Sequence, residues 1–363
     1  MKEGNLTPYE YNGIGPLGAP TTPSYLIMNG PGFASLPAST EYIVNVARGP
    51  VVLFGGDAPS QDVVSDPSFT YIANSGVGTV VASGGNNIIM TDPSGSGDHL
   101  FLTDGGNNEI LAFTGDDTIS AGAGRNSILL GTGDDLVTVL GQDSVLAGSG
   151  DDTVNVTSGS AIVMGGSGTL TFANAGGFST VFGGTGSDTI FGGTGGGVYH
   201  GGAAGDNFLM GGQLATTLFG GGSGDTLIAP GHGNDLLVAG RGNETLIGLG
   251  TGADTFMGGQ GPDSIQGGFG FNTFVAGTGG GTLAGGFAGN DYVFAKGATG
   301  GNFMVTDFTV GADKIDLQGY SKGEINHIIK QQQDVGGNVT IELKDHTSVT
   351  FLGVSHLDSS SFK

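Results

Sequence analysis

A nine-residue glycine pattern constrains the fold of this chain more than any other feature. Cutting the sequence every nine residues from Ala112 gives AFTGDDTIS, AGAGRNSIL and LGTGDDLVT and, after a one-residue deletion, AGSGDDTVN. The register continues in GGTGSDTIF from Gly183 and GGGSGDTLI from Gly220, with single-residue insertions near Met210, Ala229 and Gly248. A fixed period indicates a repeat architecture in which each unit stacks on its neighbours.

The eighth position of every unit is apolar or aromatic, although only 37% of the chain is hydrophobic. A solenoid requires such a column because each coil buries its apolar residue only against adjacent coils. The predicted core column is Ile119, Ile128, Val137, Val145, Val154, Val163, Phe172, Val181, Ile190, Tyr199, Phe208, Leu218, Leu227, Leu237, Leu246, Phe256, Ile265, Phe274, Leu283 and Tyr292.

Glycine accounts for 77 of the 363 residues without a Gly-X-Y period, which excludes both an average globule and collagen. Glycines at positions one, two and four suit tight turns, and the β-branched and aromatic residues that follow favour short strands. Two units then form one coil. Weaker units extend the pattern back towards Ala73, so we expect a glycine-rich β-solenoid over residues 73–295.

The two ends of the chain differ from the repeat. Residues 1–72 contain clustered prolines and the strand-like runs EYIVNVA and PVVLFGG, which predict an irregular N-terminal arm that serves as a cap or as an assembly segment. Residues 296–363 contain a helix-like EINHIIKQQQ and two β-type runs, NVTIELK and SVTFLGV. They predict a small C-terminal β-rich cap, and the fold class is therefore all-β.

Because two units make one coil, sixth-position residues eighteen apart stack on the same side. One predicted ladder contains Asp117, Asp135, Asp152, Leu170, Asp188, Asp206, Asp225, Glu244, Asp263 and Gly281. The other contains Asn126, Asp143, Ala161, Ser179, Gly197, Thr216, Asp235, Asp254, Asn272 and Asn290. The first ladder is the more acidic, and Leu170 should interrupt it.

These stacked acids predict several calcium sites, since calcium takes six to eight oxygen ligands and glycine-turn carbonyls can complete each shell. Without a cation, carboxylates about 4.8 Å apart would repel by roughly 1 to 4 kcal/mol per pair, so calcium should order the fold. The predicted ligands are Asp117, Asp135, Asp152, Asp188, Asp206, Asp225, Glu244 and Asp263, with Asp235 and Asp254 on the second side.

The nonapeptide resembles the hemolysin-type calcium-binding repeat, also called repeats-in-toxin or RTX, most closely in GGTGSDTIF and GGQGPDSIQ. The resemblance covers about residues 73–295. It implies a right-handed parallel β-roll with calcium in the turns, held by the acids named above. The sixth-position residues that depart from the pattern are Ala161, Leu170, Ser179, Gly197, Thr216 and Gly281.

The tail from DFTVGADKIDL to Lys363 resembles the C-terminal region of serralysin-type proteins, which carries an uncleaved type I export signal in that family. The start of the sequence lacks a cleavable signal pattern, and cysteine is absent. The resemblance therefore implies an extracellular or cell-surface protein that folds where calcium is plentiful.

Charge and motifs restrict the function classes. A formal net charge of -23 makes nucleic acid and anionic membrane surfaces poor partners. The sequence has no His-Glu-x-x-His, Gly-x-Ser-x-Gly or P-loop motif, and its six histidines are scattered. We therefore expect a protein that is not an enzyme and does not insert into membranes.

The main hypothesis is a structural homo-oligomer outside the cell, as a filament, surface layer or biofilm matrix, with cell-surface polysaccharide as a further candidate partner. It depends on the open ends of a solenoid, which must be capped or joined to another subunit. The alternative is a monomeric calcium-stabilised adhesin or an ice- or glycan-binding module. The feature that supports this alternative is a row of threonines at the third position, although most coils have another residue there. The row contains Thr132, Thr185, Thr194, Thr251 and Thr278.

Overall fold

The computed structural model describes residues 9–11, 25–28, 32–35, 42–45, 51–55, 60–65, 68–73, 77–203 and 205–363. The chain divides into two compact units, residues 1–178 and 179–363. In each unit, successive strands alternate between two sheets whose neighbouring strands pair in parallel. The predicted all-β parallel solenoid is confirmed.

Unit 1 contains sheets that we call A and B. Sheet A contains Tyr9–Tyr11, Tyr25–Met28, Tyr42–Asn45, Ser60–Ser65, Val77–Ala82, His99–Thr103, Thr118–Ala121, Leu136–Val139, Asp152–Val156 and Leu170–Asn174. Sheet B contains Gly32–Ser35, Val51–Phe54, Thr70–Ile72, Ile88–Met90, Glu109–Thr114, Ser127–Thr132, Gln142–Leu146 and Ser160–Met164.

The described strands of residues 1–72 belong to these same two sheets. Tyr9–Tyr11 pairs in parallel with Tyr25–Met28, and Ser60–Ser65 pairs with Val77–Ala82 across the predicted start of the roll. The segments between these strands lie outside the described residues. Strand pairing thus continues on both sides of residue 72, and the roll's predicted boundary there does not coincide with a change of sheet.

Unit 2 has the same two-sheet plan. Its sheet A contains Thr189–Phe191, Phe208–Met210, Thr226–Ala229, Thr245–Gly248, Asp263–Gln266, Gly281–Ala284, Asn302–Val305 and Ser348–Phe351, extended by the antiparallel strands Asn338–Glu342 and Gln333–Val335. Its sheet B contains Ser179–Phe182, Gly197–His200, Thr216–Phe219, Leu236–Val238, Thr255–Met257, Thr273–Val275, Asp291–Ala295 and Lys314–Gln318.

The C-terminal cap contains the α-helix Lys322–Gln331 and the 3₁₀ turn Ser359–Ser361. Ser321 begins the helix with a capping box, in which its side chain and that of Glu324 each bond the other's backbone N–H. The predicted helix and both predicted β runs are confirmed, the runs as Asn338–Glu342 and Ser348–Phe351. The backbone N–H of Lys363 donates to Ile315 O at 3.0 Å, so the chain's last residues lie along the strand Lys314–Gln318.

The core is the predicted eighth-position column. Nineteen of its twenty residues are buried, because a strand alternates its side chains and the sixth and eighth positions face inwards together. The exception is Phe208, which is half-buried while Leu209 is fully buried in its place. The strand register pairs Ile190 with Leu209 and Leu209 with Leu227, so the predicted register is wrong by one residue in this coil.

Candidate metal centre

In unit 1 the sixth-position acids of the first ladder lie in one buried, hydrogen-bonded row. Asp117 Oδ1 accepts from the His99 backbone N–H at 2.7 Å, and Asp135 Oδ1 accepts from Asp117 N–H at 2.7 Å. Asp152 Oδ1 accepts from Asp135 N–H at 3.2 Å. Each carboxylate therefore contacts the backbone of the preceding coil. Leu170 pairs with Asp152 and is buried, so it ends the row as predicted.

The second ladder of unit 1 forms the same bond with amides. Asn108 Oδ1 accepts from Asn87 N–H and Asn126 Oδ1 from Asn108 N–H, both at 3.1 Å. Asp143 Oδ1 then accepts from Asn126 N–H at 2.8 Å. The asparagines Asn87 and Asn108 lie outside the predicted ladder because their units match the repeat only weakly. Asparagine at position six, followed by an apolar eighth position, is the signal that could have found them.

In unit 2 the first ladder runs through Asp188, Asn207, Asp225, Glu244 and Asp263. Asn207 Oδ1 accepts from Asp188 N–H at 2.8 Å, and Asp225 Oδ1 accepts from Asn207 N–H at 2.9 Å. Asp206, expected in this row, is exposed at φ 63°. The stacking expected of Asp206 is therefore wrong, and Asn207 takes its position because of the one-residue shift in this coil.

The second ladder of unit 2 is longer than the sequence predicted. Asp235 Oδ1 accepts from Thr216 N–H at 2.6 Å and Asp254 Oδ1 from Asp235 N–H at 2.9 Å. The row continues through Asn272 and Asn290 to the buried Asp313, whose Oδ1 accepts from Asn290 N–H at 2.7 Å. The sequence prediction missed Asp313, since the coil that precedes it is lengthened to 23 residues.

The remaining carboxylate oxygens of the ladders are of two kinds. Some accept a turn amide, as in Asp152 Oδ2 with Gly148 N–H at 3.2 Å and Asp263 Oδ2 with Gly259 N–H at 2.7 Å. Others are buried and have no hydrogen-bond donor within the described part of the chain, namely Asp117 Oδ2, Asp225 Oδ2, Asp235 Oδ2 and Glu244 Oε2. A buried ionised oxygen without a donor requires a proton or a cation.

The pKa values of the ladder acids show the cost of burying them without a cation. Burial, with the neighbouring Asp117 and Asp152 charges, raises the pKa of Asp135 to about 7. Burial raises the pKa of Asp235 to about 6, and burial together with the Asp263 carboxyl raises that of Glu244 to about 8. Burial also raises the pKa values of Asp143, Asp152, Asp225, Asp254 and Asp313.

The space beside the turns is walled by oxygen atoms. A Cβ placed on Gly202 would lie 2.7 Å from Gly184 O, 2.9 Å from Gly186 O and 2.9 Å from Asp188 Oδ2. No three acidic or histidine side chains converge on one point among the described residues, so a cation here would take several ligands from backbone carbonyls. Carboxylate and carbonyl oxygens are the donors that calcium prefers, and the residues present therefore fit that ion.

A second, outer row of aspartates follows the first ladder of unit 1 at position five. Asp98 Oδ1 accepts from Asp116 N–H and Asp116 Oδ1 from Asp134 N–H, both at 2.9 Å, and Asp134 Oδ1 accepts from Asp151 N–H at 2.8 Å. These four acids are exposed. The sequence prediction did not consider position five, although the Gly-Asp-Asp triplets in this region mark it.

The parallel strands, the sixth-position acids and the oxygen-lined turns together define a calcium-binding β-roll. Four segments match the family model of the RTX calcium-binding nonapeptide repeat, at residues 102–137, 139–169, 175–199 and 249–283. The chain therefore carries RTX nonapeptide repeats, which bind several calcium ions. The assignment of individual ligands remains a prediction from the geometry above.

Among solved structures, the chain is similar to the extracellular lipase LipA from Serratia marcescens, with 20% identity and a TM-score of 0.28. The match covers 71% of this chain and 40% of the lipase chain. No curated protein matches the sequence. Within the described residues, no helix is long and apolar enough to span a membrane.

Proposed function

We propose that this protein is a secreted structural protein that folds when it binds calcium outside the cell and then self-assembles there. The observation that carries the calcium-dependent part is that buried carboxylates in three of the ladders have second oxygens without a donor among the described residues, at Asp117, Asp225 and Asp235. These oxygens are aligned by the backbone hydrogen bonds of the fold itself. A divalent cation would both neutralise them and complete their coordination.

The energetics favour folding on calcium binding. Adjacent ladder acids such as Asp117 and Asp135 immediately precede neighbouring paired strands, whose spacing is about 4.8 Å, and repel by roughly 1 to 4 kcal/mol per pair. Calcium removes this repulsion and binds only the folded arrangement, so its binding free energy adds to stability. A chain of this kind stays loose at the low calcium level of a cytoplasm and orders after export.

The surfaces of unit 2 support association through its sides rather than through its C-terminal end. The helix Lys322–Gln331 and the final residues cover that end, where Lys363 N–H donates to Ile315 O. Over five strands, the outward-facing column of sheet B contains Phe182, His200, Phe219, Val238 and Met257, and it reaches an acidic residue, Asp316, only three strands further on. An uncharged face on a strongly acidic protein is a surface on which copies can meet without mutual repulsion.

Calcium titration of the metal-free chain, followed by circular dichroism, sedimentation and negative-stain microscopy on one sample, tests the proposal. We expect calcium to produce β-structure first and ordered assemblies afterwards. A chain that is fully folded in chelator, or that stays monomeric in calcium at every concentration, would contradict the corresponding half of the proposal. Magnesium is the control cation, because its strict octahedral geometry suits these carbonyl-rich turns poorly.

A calcium-stabilised adhesin that binds ice or glycan is the second candidate. The structure offers a more regular hydroxyl row than the third-position threonines do, because Thr226, Thr245, Ser264 and Thr282 are in register on the outer face of sheet A. Regular hydroxyl spacing on a flat sheet favours an ordered ligand surface. Thermal hysteresis of the calcium-loaded monomer would support this function, and its absence would remove ice as the ligand.

A further inference from the structure

The turns that lead into sheet B of unit 2 form an edge with a concentration of exposed apolar side chains, which we call the apolar edge. From Leu249 onwards its members lie on successive turns of the roll, as the backbone bonds from Phe269 N–H to Gly250 O and from Phe287 N–H to Gly268 O show, and Leu214 lies two turns before Leu249. The six residues, each at least half exposed, are Leu214, Leu249, Phe269, Phe271, Phe287 and Val310.

The three phenylalanines are the centre of this edge. Phe287 is 84% exposed, Phe271 is 73% exposed and Phe269 is 58% exposed. The rings of Phe269 and Phe287 are stacked, with centroids 4.9 Å apart and planes 7° from parallel. They are thus held in order along the edge rather than folded into the core, and a folded protein gains nothing from leaving such rings in water.

The apolar edge is also free of charge over most of its length. The turns 211–215, 229–234, 248–253, 267–271 and 285–289 contain no lysine, arginine, aspartate or glutamate, in a chain with 33 acidic residues. The exposed Asp307 is the acid nearest to these turns, since its carboxylate accepts from Gly285 N–H at 2.7 Å and from Gly286 N–H at 2.9 Å, and it bounds the uncharged strip at its C-terminal end. Asp235 and Asp254 are buried in the second ladder. Once calcium neutralises that ladder, the edge is a part of this acidic molecule that another acidic molecule can approach with little repulsion.

The size of the edge suits a protein contact. At about 200 Å² per aromatic side chain, the exposed fractions of the three phenylalanines amount to on the order of 400 Å². That area alone equals the largest apolar patch of a typical monomer and is about half of the roughly 800 Å² that each partner buries in a stable complex. Leu214, Leu249 and Val310 extend it towards the full area.

We infer that the apolar edge binds the same edge of a second copy of this chain, in a calcium-dependent, two-fold contact. The inference rests on the self-association proposed above and assigns its contact surface. Electrostatics favours a copy of this chain over other possible occupants, because a copy presents an uncharged apolar strip of the same length and the same coil spacing. Calcium controls the contact because the ladder through Asp235, Asp254 and Asn272 fixes the turns that carry the rings.

Sedimentation equilibrium of the full chain in calcium tests this contact with two matched triple variants. Phe269→Ser, Phe271→Ser and Phe287→Ser together should weaken dimerisation by about 30-fold or more, the effect of removing buried aromatic anchors. The control triple, Phe191→Ser, Met304→Ser and Val335→Ser, removes exposed apolar side chains from sheet A of the same unit and should change the dissociation constant less than threefold. Circular dichroism in calcium confirms that both variants retain the fold.

Thiol protection provides a second measurement, since the chain has no cysteine. The thiol introduced by Phe287→Cys should lose reactivity towards a maleimide as protein concentration rises in calcium, whereas that introduced by Thr282→Cys should not. If the wild type associates and the edge variant associates equally well, the assigned surface is wrong but self-assembly stands. A wild-type chain that stays monomeric would overturn both, and an edge that binds phosphatidylcholine vesicles instead would identify a lipid occupant and refute the inference.

Discussion

Replacing Asp135 with asparagine separates the two roles that its carboxylate has in the roll. Asp135 Oδ1 accepts from Asp117 N–H, and Asp135 N–H donates to Asp152 Oδ1. Asparagine already forms this bond at the equivalent place in the second ladder, where Asn126 Oδ1 accepts from Asn108 N–H. Asp135→Asn therefore keeps the hydrogen-bond ladder and removes only the charge and one potential cation ligand.

The expected effect on stability is large without calcium and small with it. At pH 8, above the pKa of about 7 that burial and neighbouring charges give Asp135, the variant removes repulsion with two neighbours. We expect the calcium-free protein to gain about 2 to 4 kcal/mol in its free energy of unfolding. In saturating calcium, a 100-fold weaker site removes about 3 kcal/mol of binding free energy, which offsets this gain, so the variant and the wild type should then differ by only about 1 kcal/mol or less.

Urea unfolding followed by circular dichroism, in chelator and in calcium at pH 8, measures both changes. The gain in chelator should shrink as the pH falls below 7 and disappear only below about pH 4, where Asp135 is protonated in both the folded and the unfolded protein. The reciprocal variant, Asn126→Asp, adds a charge beside Asp143 and should destabilise the calcium-free protein. Equal destabilisation of Asp135→Asn in chelator and in calcium would refute the reasoning, since the carboxylate would then contribute only to the fold.

Three further predictions follow from the ladders and the cap. Without calcium, the free energy of unfolding should fall as the pH rises from about 4 to 8, because folded Asp135 and Glu244, with pKa values of about 7 and 8, keep protons that the unfolded chain releases. In saturating calcium, the free energy of unfolding should rise over this range. Urea midpoints measured as a function of pH test both expectations. Gly202→Ala places a Cβ 2.7 Å from Gly184 O and 2.9 Å from Asp188 Oδ2, so calorimetry should show that calcium binding is lost. The control variant Gly323→Ala, whose Cβ has only Ser321 Oγ nearby at 3.9 Å, should bind calcium normally. Ser321→Ala removes the capping box and should cost about 1 kcal/mol, seen as faster amide exchange in the helix Lys322–Gln331 with unchanged calcium affinity.

The core could be predicted from the sequence because burial in a solenoid is periodic. Each coil has few inward positions, and an apolar residue at position eight has no alternative place to pack. The prediction was wrong at Phe208, where both Phe208 and Leu209 are apolar and either register satisfies the pattern. A one-residue slip exchanges the two faces of a strand, so this single error also placed Asp206 rather than Asn207 in the ladder.

The site was harder to predict than the core, because its stacking depends on backbone hydrogen bonds that have no sequence period of their own. Lengthened coils carry the second ladder to Asp313 and bring Asn87 under Asn108. Coil length is set by the turns between strands, and turns accept insertions at little cost. The spacing of eighteen residues therefore identifies the ladders but does not identify their ends.

The two oxygens of a ladder aspartate explain why aspartate and asparagine alternate in this chain. Oδ1 accepts from the backbone of the neighbouring coil, a function that asparagine performs equally well in the bonds from Asn87 to Asn108 and from Asn108 to Asn126. Asparagine then uses its second polar atom internally, as Asn108 Nδ2 donates to Asn126 Oδ1 at 2.8 Å. Aspartate cannot donate, so Asp117 Oδ2 and Asp225 Oδ2 stay buried without a donor unless a cation binds. Asparagine coils thus complete their own hydrogen bonding, as do the aspartates Asp152 and Asp263, whose second oxygens accept from turn amides. The coils of Asp117 and Asp225 have no such donor, and we expect the roll to require the ion there.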